Sequence, residues 1–298
     1  MIFSPNSFRR WPLYLLYALL VVVLSLYLRF PGQQFKTFCT QSMTRQFPGY
    51  EGSIESLRYQ FPLTLVATNL QLKSNDQAAQ EIFTIEQLTL TPTLMSFKDP
   101  ARSFLITITA YGGTHQADLV RDRGRNTFSL ANIEINAFDL AKLQWLKTQT
   151  GRAITGLLTA QGSYAGQWGQ EISKGTGQGT ITITAGSFAL LEPLLSLKNI
   201  DLDKGEVQVK LQEQKLVLGK GKLKGKELEG TFGGQLVELS APFAAIQLNL
   251  TGTLMPLPDL VKKSGQAQPL LPKLQKNKAG LPFHLQGTIG KPRFLFDS

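Results

Sequence analysis

The residues that come nearest to phosphate chemistry are Gly287-Thr288-Ile289-Gly290-Lys291, in the run His284 to Phe296. A phosphate loop needs G-x-x-x-x-G-K-[ST], so that successive backbone N–H groups can wrap the anion. Five residues before Gly290 stands Leu285, not glycine, and Lys291 is followed by Pro292. Proline brings neither a hydroxyl for magnesium nor an N–H. It also bars the helix whose N-terminus would face the phosphates. The segment is not a nucleotide site. Gly287, Gly290 and Pro292 read instead as punctuation between two strands, since glycine in a strand marks a bend, a bulge or a close backbone approach.

Other chemistry-bearing residues are few and scattered. The chain has two histidines, His115 and His284, both within alternating strand-like runs, and no His-Glu-x-x-His or G-x-S-x-G pattern. Its single cysteine, Cys39, excludes an intramolecular disulfide and has no base near it in sequence, so it reads as a small apolar thiol. Asp201 and Asp203 alternate in Asn-Ile-Asp-Leu-Asp and point to one side of a strand. With Lys204 adjacent and no third ligand, they describe a wet sheet face better than an acid–base pair or a cation site. Gly219 to Lys226, GKGKLKGK, is one residue too long for the dinucleotide fingerprint and fits an exposed strand or hairpin. No catalytic, cofactor-binding or metal-ligating residue is assigned, and the chain is expected not to be an enzyme.

The elements that would position such residues are mostly strands. SFLITITAY (Ser103 to Tyr111), GTITITAG (Gly179 to Gly186), GEVQVKLQ (Gly205 to Gln212) and AIQLNLTGTL (Ala245 to Leu254) alternate with period two. In the last of these, Ile246, Leu248 and Leu250 share one face while Gln247, Asn249 and Thr251 share the other. Helical spacing appears in Phe138 to Gly151, with Asp139 as N-cap and Gly151 as C-terminal stop. Two further helix candidates are Phe35 to Gln46 and the short apolar stretch Phe188 to Leu197. Pro256 to Pro282 is rich in proline and lysine with little periodicity, and reads as an exposed loop.

The first thirty residues set the compartment. Trp11 to Leu28 is uncharged and follows Arg9 and Arg10. As a helix it spans about 27 Å, near the roughly 30 Å of a bilayer's hydrocarbon core. Trp11, Tyr14 and Tyr27 sit towards its ends, where amphipathic rings prefer the interface, and Leu20, Val22 and Leu24 form its apolar middle. Bulky and charged residues follow, which argues against signal cleavage. The arginine bias predicts a single-pass inner-membrane anchor with a cytoplasmic N-terminus and a periplasmic body. Formal net charge is +10, which suits anionic headgroups. No recognition-helix or RNP-like pattern supports nucleic acid as a partner.

Four stretches carry a resemblance. They are Tyr27-Leu28-Arg29-Phe30-Pro31 at the membrane exit, YQFPLTLVATNLQL (Tyr59 to Leu72), GLLTAQGSY (Gly156 to Tyr164) and the closing QGTIGKPRF (Gln286 to Phe294). The chain resembles the type II secretion system protein N family, within the wider AsmA-like group of envelope proteins. The resemblance implies a curved, partly open antiparallel β-sheet on an inner-membrane anchor, with one or two short helices. It also implies accessory service to type II secretion alongside other components of that machine. The wider group resembles lipid-conducting grooves, which makes phospholipid transport or homeostasis the alternative. The expected organisation is a cytoplasmic stretch 1–10, an anchor 11–28, a periplasmic β domain 29–255, a loop 256–282 and C-terminal strands 283–298.

Overall fold

The structure is a computed structural model that describes residues 11–28, 32–46, 50–61, 63–74, 81–93, 101–194, 197–258, 260 and 280–296. Two helices come first, α1 (Trp11–Leu28) and α2 (Gly32–Gln46). The strands that follow are β1 (Tyr50–Gln60), β2 (Thr64–Ser74), β3 (Glu81–Pro92), β4 (Ala101–Ala110), β5 (Gly113–Asp122) and β6 (Thr127–Asp139). A 3-10 turn (Leu140–Lys142) and the short α3 (Gln144–Thr150) interrupt them. The second run is β7 (Ile154–Gln167), β8 (Thr176–Leu194), β9 (Leu197–Gln212), β10 (Lys215–Lys224), β11 (Leu228–Val237), β12 (Gln247–Pro256), β13 (Leu281–Thr288) and β14 (Pro292–Phe296).

The described strands form one 14-stranded antiparallel sheet in strict chain order, with β1 and β14 as its edges. The protein is therefore mainly β, with few helices, and its sheet is open. Short connections between most neighbours favour this order, because an antiparallel pair needs only a short turn whereas a parallel pair needs a long crossover. Tyr111-Gly112 and Glu213-Gln214 make two such turns at positive φ.

The sheet bends where ladders slip. Register shifts fall between Leu130 and Ile133 and between Ile135 and Phe138 on β6, beside Asn132 and Ala137, whose φ values are 48° and 51°. Bulges of this kind bend the strand and increase its twist. On β7, Gly156 has φ 132°, and a Cβ there would stand 2.9 Å from Gly186 Cα on β8. Only glycine allows that approach.

One face of the N-terminal strands is covered. Helix α2 lies on it, and Cys39 and Met43 pack against buried Ile54, Leu57 and Ala67. The middle of the sheet carries an aromatic cluster in which Tyr111 stands 4.8 Å from Phe138 and 5.5 Å from Phe83, ring to ring. His115 joins it, 5.6 Å from Phe138. Its Nδ1 accepts from the Asn136 N–H at 3.3 Å, and its Nε2 lies 3.2 Å from the Ala110 carbonyl. A carbonyl only accepts, so the ring proton belongs on Nε2. This histidine is a satisfied core residue.

Several sequence expectations need correction. Phe188 to Leu197 is not a helix. Its described residues lie in β8 and the start of β9, where Phe188 pairs with Ile200 and Ala189 with Asn199. The helix expected from Phe138 shrinks to α3, because Phe138 and Asp139 still pair with Leu158 and Leu157 of β7. Leu143, at φ −85° and ψ 79°, then separates the 3-10 turn from α3. Asp139 does cap, accepting from Ala141 N–H at 3.0 Å, and Gly151 stops α3 in the left-handed region at φ 66°. The C-terminal strands begin at Leu281, not 283. Within the expected loop, Leu260 is 1% exposed and packs on Leu228, while 261–279 lie outside the described residues.

The expected membrane span is also not found. Helix α1 covers the whole stretch Trp11–Leu28. Its side chains are described only at Tyr14 to Ala18, Leu20 to Val22 and Ser25. Among the described residues no helix is long and apolar enough to cross a membrane.

Candidate apolar groove

In the C-terminal half, the residues that alternate onto the concave face are almost all aliphatic or aromatic. Strand β8 contributes Ile181 and Ile183, β9 Val207, β10 Leu223, β11 Phe232 and β12 Leu248, Leu250 and Leu254. Strand β13 adds Phe283 and Leu285, and β14 adds Phe294, with the last two strands joined by a Phe283–Phe294 ring contact at 5.8 Å. The opposite face is polar: Asn249 and Thr251 are exposed on β12, as are Lys220, Lys222 and Lys224 on β10. A flat sheet would need a second layer to bury such a face. Here the sheet curls around it, leaving a cavity of about 400 Å³. That lies within the usual size of a small-molecule site.

The curl is held by a contact far apart in sequence. After α3, Gly151 turns the chain, and Arg152 reaches the β13–β14 turn. Its Nη2 donates to the carbonyls of Ile289 and Gly290 at 3.2 and 3.4 Å. The same turn is pinned by two backbone bonds, Ile289 N–H to Ile246 O at 3.0 Å and Gly290 N–H to Ala244 O at 2.9 Å. Close by, Trp145 of α3 packs against Phe243 with the rings tilted and 4.9 Å apart. A Cβ on Gly290 would press on Ala244 O at 3.0 Å, so the glycine belongs to this seam.

Four polar residues border the cavity, Thr150, Arg152, Glu206 and Glu229. The two glutamates pair across the ladders with Lys222 and Lys224, so their side chains stand on the polar outer face. Thr150 is 6% exposed and donates back to Leu146 O at 2.7 Å, which satisfies it. Glu206 accepts from Lys204 at 2.9 Å. That bond and the Lys204 charge hold its carboxyl below the usual range. Arg152 has no carboxylate partner among the described residues, and its Nε is buried without a hydrogen bond. Burial pulls its guanidinium below the ordinary arginine value.

The residues singled out in the sequence fall in three places. Trp11, Tyr14, Leu20, Val22, Leu24 and Tyr27 all belong to α1, with Tyr14, Leu20 and Val22 exposed. Arg29, Phe30 and Pro31 lie outside the described residues. Gly287 and Pro292 pair across the β13–β14 ladder and Gly290 forms the turn between them. Gly287 takes φ 98°, and Lys291 N–H closes the turn onto Thr288 O at 3.1 Å. The motif that resembled a phosphate loop is thus a strand-to-strand turn at the closing seam of the groove.

Other candidates stand apart from it. Asp201 accepts from Ser187 Oγ at 2.6 Å on an exposed stretch of β9. Among the described residues no group of three His, Cys, Asp or Glu side chains could hold a metal ion. Cys39 lies on the sheet-facing side of α2, where burial pushes its thiol up and away from the nucleophilic thiolate. Sequence reasoning missed Arg152, which lies in an unremarkable Gly-Arg-Ala; only its partner 138 residues on gives it meaning. Compared with known proteins, the chain matches no family model, no curated protein and no solved structure.

Proposed function

We propose that this chain is a non-enzymatic envelope protein whose working surface is the concave groove of β8–β14, and that the groove holds an acyl chain. One observation carries the reading. The apolar face of these strands encloses about 400 Å³ of cavity instead of closing into a packed core. Protein interiors pack to crystal density, so a space of this size lined by leucine, isoleucine and phenylalanine is a binding feature. An acyl chain is the ligand whose surface matches such a lining along several strands.

The anchor belongs to the same proposal. The described large apolar side chains of α1 are exposed, from 40% at Val21 to 67% at Tyr17. A helix that is apolar all round needs a hydrophobic surrounding, and its eighteen residues carry no charge. Bilayer insertion of α1, with the sheet on the periplasmic side, supplies it.

The resemblance to type II secretion protein N provides the setting, as an accessory of that machine in the inner membrane. Two of its four stretches run from the end of β1 into β2 and from the end of β13 into β14, beside the two edges of the sheet. Purification of the full chain, followed by mass spectrometry of extracted lipid, tests the groove. Co-purified acyl lipid that disappears in Val207→Trp supports it, and lipid-free wild-type protein sinks it. Deletion of the gene tests the setting separately: secretion of folded enzymes into the medium falls if the setting is right and is unchanged if it is not.

A further inference from the structure

Among the described residues the groove has one cation in its lining, Arg152, and no carboxylate pairs with it. We propose that Arg152 receives the carboxylate of a single-chain fatty acid whose tail lies along β8–β14. This inference rests on the acyl-chain reading above and specifies the ligand. Nη2 of Arg152 is occupied by the carbonyls of Ile289 and Gly290. Nε is buried and unbonded, and no acidic side chain among the described residues pairs with the guanidinium. The two carbonyls do not neutralise the guanidinium charge, and hydrogen bonds between charged groups are the strong ones, so a carboxylate is the partner this cation favours.

The charge count chooses the headgroup. Among the described residues the lining holds a single cation, while the carboxylates of Glu206 and Glu229 stand on the outer face beside Lys222 and Lys224. A phosphate monoester would bring a charge of about −1.5 to −2 to that one guanidinium. A carboxylate brings one. The cavity, at about 400 Å³, lies near the lower end of ligand-site volumes, roughly 300 to 1,000 Å³, and so favours one chain over two.

The experiment uses the full chain in nanodiscs of zwitterionic lipid, with a diazirine-bearing palmitate analogue and its methyl ester as photolabels. Wild type should be labelled on β8–β14 about tenfold more by the acid than by the ester. Arg152→Met should label equally with both, at the level of the wild-type ester. Arg152→Lys, which keeps a cation, should retain part of the preference and guards against misfolding of the methionine variant. Equal labelling of wild type by acid and ester overturns the headgroup site while leaving the acyl groove standing. Labelling by neither overturns both. Stronger competition by lysophosphatidate than by palmitate overturns the carboxylate assignment.

Discussion

The two halves of the sheet are built from the same alternating strands but treat their apolar faces differently. On β1 and β2 the face is capped: α2 brings Cys39 and Met43 onto Ile54, Leu57 and Ala67. On β8–β14 the sheet curls over its own face and a seam at Arg152 holds the curl. Covering by a helix leaves a packed core, whereas covering by curvature leaves a cavity. An alternating pattern therefore says that a face must leave water and not by which means.

The sharpest way to test that contrast is a matched pair of truncations. Ile54 is 4% exposed, so Ile54→Ala should cost about 2–5 kcal/mol. Ile183, half-buried on the groove, should cost about 1 kcal/mol when cut to alanine, because part of its surface faces open space. Denaturant midpoints of the full chain measure both, and equal costs would break the comparison. Next comes the seam. Arg152→Met removes two charged hydrogen bonds and should destabilise the β13–β14 turn by about 1–3 kcal/mol. Faster amide exchange at Ile289 and Gly290, without change at Ile54, is the expected signature.

A smaller effect tests the middle of the sheet. The Arg121 guanidinium lies 4.3 Å from the ring centre of Trp168, which is 40% exposed. Arg121→Ala should cost about 0.5–1 kcal/mol and shift Trp168 fluorescence to the red. Between α2 and the sheet, the raised thiol of Cys39 gives a pH dependence. A group held protonated contributes its full stability below its unfolded-state value and loses it as pH rises through the higher folded one. Thiol trapping near pH 8 should accordingly run several-fold slower on folded than on urea-unfolded chain. Smallest of all, Lys204→Ala should leave the unfolding midpoint unmoved, since the Lys204–Glu206 pair is exposed.

Much of the fold was legible because antiparallel strands write their burial into the sequence. Leu248, Leu250 and Leu254 face the groove while Asn249 and Thr251 are exposed, as the alternation requires. Gly287, Gly290 and Pro292 announced a turn. What could not be read were choices made by distant partners. Phe188 and Leu190 look helical in isolation, yet the ladder to β9 and the groove holds them extended. Arg152 gives no local sign of its carbonyl partners, nor Leu260 of its burial beside Leu228.

Strict chain order along the sheet has a kinetic consequence. Every ladder joins sequence neighbours, so contact order is low and pairing can advance strand by strand as the polypeptide emerges, each hairpin templating the next. Each strand waits only for its immediate successor to complete its hydrogen bonds. The clasp between Arg152 and the final turn is the exception, and it makes closure of the curl the last event of assembly.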